Sequence, residues 1–176
     1  MVLQNKFGGI LQMKLKKLTK MMVAFLGVLL IVPMMFFAGC KSKAEKETVK
    51  IEQFYSIVVQ SQGCLDDVAD DIYSYWYDAI YDDLYDGDIS LAVYYAKKHN
   101  SENLSVIEAN EPKIKSLYKE IRDSVLSDQI KAVMSAYTDY YELVVNVSGS
   151  FKSYSADKET LKKNLASALK DLALEI

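Results

Sequence analysis

The stretch TVKIEQFYSIVVQSQGCLDDVADDIYSYWYDAIYDDLY, residues 48–85, decides the fold. Ile51, Val58, Leu65, Ile72 and Ala79 recur every seven residues, and Phe54, Val68 and Trp76 fall on the same side. An apolar repeat of this kind marks an amphipathic helix, whereas a strand would alternate every second residue. The spacing predicts a helix over 48–85, roughly 57 Å long at about 1.5 Å per residue. Gly63 is a point at which it could break. Asp86-Gly87-Asp88 should end it, Gly87 being suited to a left-handed C-terminal cap.

The same pattern continues downstream. Ile89 to Lys98 reads as a short helix, and His99-Asn100-Ser101 as a connection. A second long helix is expected from Glu102 to Val125, with Ile107, Ile114 and Ile121 at seven-residue spacing and Leu104, Leu117 and Tyr118 beside them. Pro112 should either kink this helix or sit in the first turn of a restarted one capped by Asn110. A third helix runs from Asp128 to Val147 with Ser127 as N-cap and a stripe of Ile130, Val133, Met134, Tyr137, Tyr141 and Val144. Ser148-Gly149-Ser150 breaks it. The last helix, Ala156 to Leu174, is expected to be capped by Ser155 and to bury Leu161, Leu165, Ala168, Leu169 and Leu172. Short connections between amphipathic helices place neighbours antiparallel. The expected fold is therefore all-α: an antiparallel up-and-down helical bundle of three to four long helices plus one short helix, after a cleaved N-terminal apolar signal helix.

The N-terminus has a different character. Lys6, Lys14, Lys16, Lys17 and Lys20 precede an uncharged stretch from Met21 to Gly39, and the first 39 residues contain no acid. The stretch ends in Phe37-Ala38-Gly39-Cys40. A basic leader, an apolar segment and small residues before the cut describe a secretory signal peptide. The segment resembles the signal peptide and lipobox of bacterial lipoproteins, although Phe37 stands where that family prefers leucine. The resemblance implies a diacylglyceryl thioether on Cys40 and a cell-membrane anchorage on the extracytoplasmic face. It divides the chain into a signal peptide, 1–39, an anchor and polar tether, 40–48, and a helical-bundle domain, 49–176. Translation from Met13 rather than Met1 would give a shorter basic leader. The alternative is an uncleaved helix over 21–39, near the length of about 20 residues that spans a bilayer.

The whole chain carries −3, and loss of the five leader lysines leaves −8. That balance excludes nucleic acid, whose phosphates demand a basic face. With Cys40 lipidated, Cys64 is unpaired and reads as a small buried hydrophobe. Between Asp66 and Asp88 lie nine aspartates and no lysine or arginine, interleaved with tyrosines and Trp76. Like charges at three- and four-residue spacing destabilise a helix. Two main readings stay open for this run. It is a solvated face whose tyrosines straddle the core boundary, or it is a recognition surface of Asp70, Asp71, Tyr73, Tyr77, Asp78, Tyr81, Asp82 and Tyr85 for a protein or carbohydrate partner. In the first case Tyr73, Trp76 and Ile80 simply belong to the core. A weak cation site at Asp86 and Asp88 is a third possibility. An EF-hand starting at Asp82 fails, because Leu84 and Val93 occupy ligand positions. His99, the sole histidine, sits in a polar connection and should be solvated. The chain contains no phosphate-binding glycine loop, nucleophile elbow, paired-cysteine metal site or zinc-protease motif. No catalytic residue, metal or cofactor is expected.

Two segments, Trp76-Tyr77-Asp78-Ala79-Ile80-Tyr81 and Asn146-Val147-Ser148-Gly149-Ser150-Phe151-Lys152-Ser153-Tyr154-Ser155, are similar to a group of small helical proteins of Gram-positive bacteria and their prophages. Val147 departs from the proline common there. That resemblance implies a helical fold and no activity. The expected function is a non-enzymatic, membrane-anchored interaction or binding module. A small-ligand or cation-binding envelope protein and a phage-exclusion type of lipoprotein are the alternatives.

Overall fold

The computed structural model describes residues 42–176. The expected signal peptide, Cys40 and the first residues of the tether lie outside them. Among the described residues the chain is all-helical, with five α-helices and no strand.

Helix α1 spans Lys43–Tyr81 and starts inside the segment read as a polar tether. Ser42 closes a capping box: its Oγ accepts from Glu45 N at 3.3 Å, while Ser42 N donates to Glu45 Oε2 at 2.7 Å. Two orphan amides at the helix start are thereby satisfied. The apolar period begins only at Ile51, so the earlier turns carry no core signal. The helix continues through Gly63 and stops before the expected cap. Asp83, Tyr85 and Asp86 have φ of 53°, 60° and 54°, which ends α-helical bonding after Tyr81. Gly87 is left-handed as expected, at φ 70°, but it closes the tight turn Leu84–Gly87 instead of capping α1.

Helix α2, Ile89–His99, is capped by Asp88, whose Oδ1 accepts from Leu91 N. Asn100 alone separates it from α3, Ser101–Ile121. Pro112 lies within α3 without a restart, and Asn110 is a buried residue of that helix, not its cap. Helix α4 spans Ser127–Val145; Ser127 is its first helical residue and Leu126 holds the cap position, its N–H bonded to Ser124 Oγ. Helix α5, Phe151–Ala173, starts well before Ala156 because Ser150 and Ser153 form a capping box there; Ser155 is inside the helix. Gly149 enters this cap at φ 88°, and a Cβ on it would come 2.9 Å from Ser153 Oγ.

Helix α1 touches every other helix. Its seven-residue row, Ile51, Val58, Leu65, Ile72 and Ala79, is buried throughout, as are Phe54, Val68 and Trp76. Ile107, Ile114 and Ile121 of α3, Ile130, Val133 and Val144 of α4, and Leu165, Leu169 and Leu172 of α5 complete the core. Polar contacts also cross it: Tyr154 Oη donates to Ala69 O at 3.3 Å. Asn110 Nδ2 donates to Gln60 Oε1 at 3.2 Å and to Ser61 Oγ at 3.3 Å, with Ser61 fully buried.

Phe54 is fully buried in the N-terminal third of α1. Phe54→Ala should lower the unfolding free energy by about 3–5 kcal/mol. Val59→Ala, on the exposed side of the same helix, should change it by less than about 0.5 kcal/mol. Urea denaturation followed by circular dichroism measures both.

Candidate interaction surface

The acidic run occupies the C-terminal half of α1, and helical geometry divides it by position. Asp66, Asp67, Asp70 and Asp71 face neighbouring helices. Asp70 Oδ1 accepts from Lys158 Nζ of α5 at 2.7 Å, and Lys162 Nζ lies 3.6 Å from its other oxygen. Asp66 accepts from Tyr140 Oη of α4 at 2.9 Å and pairs with Lys162 at 3.4 Å. Asp71 Oδ2 accepts from Asn100 Nδ2 at 2.7 Å and lies 2.6 Å from His99 Nδ1, so His99 is engaged with α1. Asn103 reaches Asp67. These carboxylates tie α1 to α3, α4 and α5.

Lys158 is the least expected member of this set. Its side chain is almost fully buried, with its Nζ 4.7 Å from the centre of the Tyr73 ring and 3.1 Å from Glu159. Burial disfavours its charge, but hydrogen bonds and charges from Asp70 and Glu159 more than offset this and hold its pKa above the ordinary lysine value. Burial also pushes the Asp66 carboxyl up, against the opposing pull of Tyr140 and Lys162. The half-buried Cys64 thiol is raised by burial and by Asp67, which keeps it in the unreactive thiol form.

Toward its C-terminal end α1 carries aromatic clusters on two sides. Tyr73, half-buried, stacks on Phe151 of α5 at 5.0 Å, and Tyr77 and Tyr81 lie 4.6 Å apart, each 6.2 Å from the same ring. Trp76 is core: it packs on Phe151 and Tyr154, and its Nε1 has no hydrogen-bond partner among the described residues. The two segments of the Gram-positive resemblance, Trp76–Tyr81 and Asn146–Ser155, thus meet in space. On the other side Tyr85 stacks on both Tyr75 and Tyr95, with ring centres 5.7 Å apart in each case, and His99 stacks on Tyr75. Ile80 is exposed and does not join the core.

Of the expected contact residues, Asp70, Asp71, Tyr73 and Tyr85 are engaged in internal contacts. Tyr77, Asp78, Tyr81 and Asp82 gather at the end of α1, where no ion pair or side-chain hydrogen bond involves either aspartate among the described residues. The sequence reading missed Tyr140, Tyr154 and Lys158. Tyr154 was hidden by the misplaced helix start, and nothing local marks a lysine for burial. Two shallow concavities among the described residues lie elsewhere, one between α2 and α3 beside Tyr94, Lys97 and Leu104, the other along the first turns of α1. Neither includes Asp78, Tyr81 or Asp82. Among the described residues no cluster of three or more metal-ligating side chains occurs, and no helix is long and apolar enough to cross a membrane. Comparison with models of known protein families, with curated proteins and with solved structures yields no match to this chain.

Two buried tyrosines of α4 should respond oppositely to loss of the hydroxyl. Tyr140→Phe removes a hydrogen bond to a carboxylate and should cost roughly 1.5–3 kcal/mol. Tyr137 Oη is buried with no hydrogen-bond partner among the described residues, so Tyr137→Phe should be neutral or stabilising. Paired urea melts decide. Burial holds Tyr137, Tyr140 and Tyr154 well above the usual phenol pKa. The folded state therefore keeps protons that the unfolded chain releases above pH about 10. Their contribution should be constant below that pH and fall above it. Tyrosinate absorbance from these three should appear only together with loss of helical dichroism.

Proposed function

We propose that this protein is a lipoprotein anchored through diacylglyceryl on Cys40 at the extracytoplasmic face of the cell membrane, and that its helical domain acts as a non-enzymatic interaction module. The observation that carries the module reading is the end of α1, where Tyr77 and Tyr81 are exposed and Asp78 and Asp82 have no ion pair among the described residues. Exposed aromatic rings supply large contact area at low entropic cost. A charge of −8 after leader removal supports a protein or carbohydrate partner over nucleic acid.

The domain in this reading is an antiparallel up-and-down bundle. Contacts from Lys50 to Glu120, Gln60 to Asn110 and Asp71 to His99 run in opposite order along α1 and the α2–α3 arm. Asp66 to Lys162, Asp70 to Lys158 and Tyr77 to Phe151 do the same for α1 and α5. Asp66 meets Tyr140 while Ser61 lies beside Tyr137, which supports a parallel course for α1 and α4. Helix α1, Lys43–Tyr81, rises about 58 Å along its axis, at about 1.5 Å per residue.

Cell fractionation tests the anchor. Cys40→Ala should release the domain to the medium or leave an unprocessed precursor, whereas a processed form still held in the membrane would overturn lipidation at this residue.

A further inference from the structure

We propose that the end of the bundle formed by the last turn of α1, the Asp83–Gly87 turn and α2 is a docking surface for a lysine- or arginine-rich polypeptide segment. The inference rests on the interaction-module reading and narrows it to one place and one chemistry.

The first ground is exposure. Among the described residues, most of the exposed large apolar side chains fall between Tyr77 and Tyr95. Tyr77 is 42% exposed, Tyr81 61% and Tyr94 56%, and Ile80, Leu84 and Tyr95 join them. Water-exposed aromatic surface gathered at one end, beside a well-filled core, is the signature of a contact site.

The second ground is charge. Farther back along α1, Asp66, Asp70 and Asp71 are met by Lys162, Lys158, His99 and Asn100, and Asp88 caps α2. Asp78, Asp82, Asp83 and Asp86 have no ion pair and no side-chain hydrogen bond among the described residues, although they alternate with the exposed rings. The molecule's own lysines show the pairing that these elements accept: Lys158 Nζ lies 4.7 Å from the centre of the Tyr73 ring and Lys98 Nζ 5.9 Å from that of Tyr94. An ammonium or guanidinium bound at Tyr81 would have the same ring contact, with the Asp78 carboxylate three residues back on the neighbouring helix position.

The third ground is preorganisation. Asp83, Tyr85 and Asp86 are held in the left-handed region, and the stack of Tyr75, Tyr85 and Tyr95 fixes the turn from within. Non-glycine residues persist in that region only where their surroundings determine it. A rigid surface loses little entropy when a partner docks. Charge also discriminates among occupants. A second copy would bring like charge against like, and an anionic membrane surface would be repelled.

The test uses the full chain in neutral detergent micelles and a fluorescent peptide of alternating lysine and serine, followed by anisotropy. A glutamate–serine peptide of equal length is the control. The lysine peptide should bind, more weakly as salt rises, and the glutamate peptide should not. Asp78→Asn combined with Asp82→Asn, and Tyr81→Ser alone, should each weaken binding by roughly tenfold. Asp67→Asn, which removes one negative charge away from this end, should stay within about twofold. Unchanged melting curves confirm that these substitutions leave the fold intact. Absence of binding would overturn the proposal, and so would equal losses from Asp67→Asn and the double variant, or indifference to Tyr81→Ser. If fragments of envelope glycan bind at Tyr81 and the lysine peptide does not, the cationic partner is wrong while the interaction module stands.

Discussion

Burial of one long helix on several sides at once is the constraint on which the rest of the structure depends. Helix α1 contacts all four other helices, and its buried positions include both the Ile51 row and the Phe54, Ser61 and Val68 row three residues on. Two such rows at seven-residue repeat form a coiled-coil-like seam. In that seam Ser61 and Asn110 are the polar exception. A buried hydrogen-bonded pair adds little net stability, but it penalises any shift of α3 along α1 that would leave Asn110 unpartnered. The apolar rows pull α3 onto α1, and the polar pair selects the register.

Electrostatics follows from the same helix. Nine aspartates with no basic residue among them would strain an isolated helix through like-charge contacts. The fold relieves much of that strain across helices. Lysines 158 and 162 of α5, the amides of Asn100 and Asn103, and the Tyr140 hydroxyl each come from a different part of the chain to meet a carboxylate. Lys97 performs a related task at the far side, donating to Val145 O at the end of α4, where a helix leaves carbonyls without partners. The relief stops at Tyr77. Beyond it Asp78, Asp82, Asp83 and Asp86 have no ion pair among the described residues, Tyr81 is exposed, and the chain turns through three left-handed non-glycine residues.

Much of this was legible in the residue order. The number and approximate extent of the helices, the buried isoleucine and leucine rows, and the concentration of Asp and Tyr on one segment all follow from period and composition. Helix starts were less legible. Ser42 and Ser150 act through reciprocal bonds three residues on, and neither is followed by an apolar period that would advertise it. Asn110 looked like a cap because a proline follows two residues later, yet α3 continues through Pro112. Tyr81 and Tyr85 looked alike in sequence. One is open to solvent, and the other is stacked between Tyr75 and Tyr95.

Sequence alone determined that the chain is helical and that its acid is concentrated on one segment. Both are local properties: an apolar residue on every seventh position favours a helix wherever it lies, and charge is counted without reference to neighbours. Which aspartates are consumed in holding helices together, and which remain available to a partner, was decided only by tertiary structure. A carboxylate's role depends on whether a lysine, amide or hydroxyl from another helix reaches within about 3 Å of it, and that distance spans 28 to 96 positions of sequence here, from His99 on Asp71 to Lys162 on Asp66.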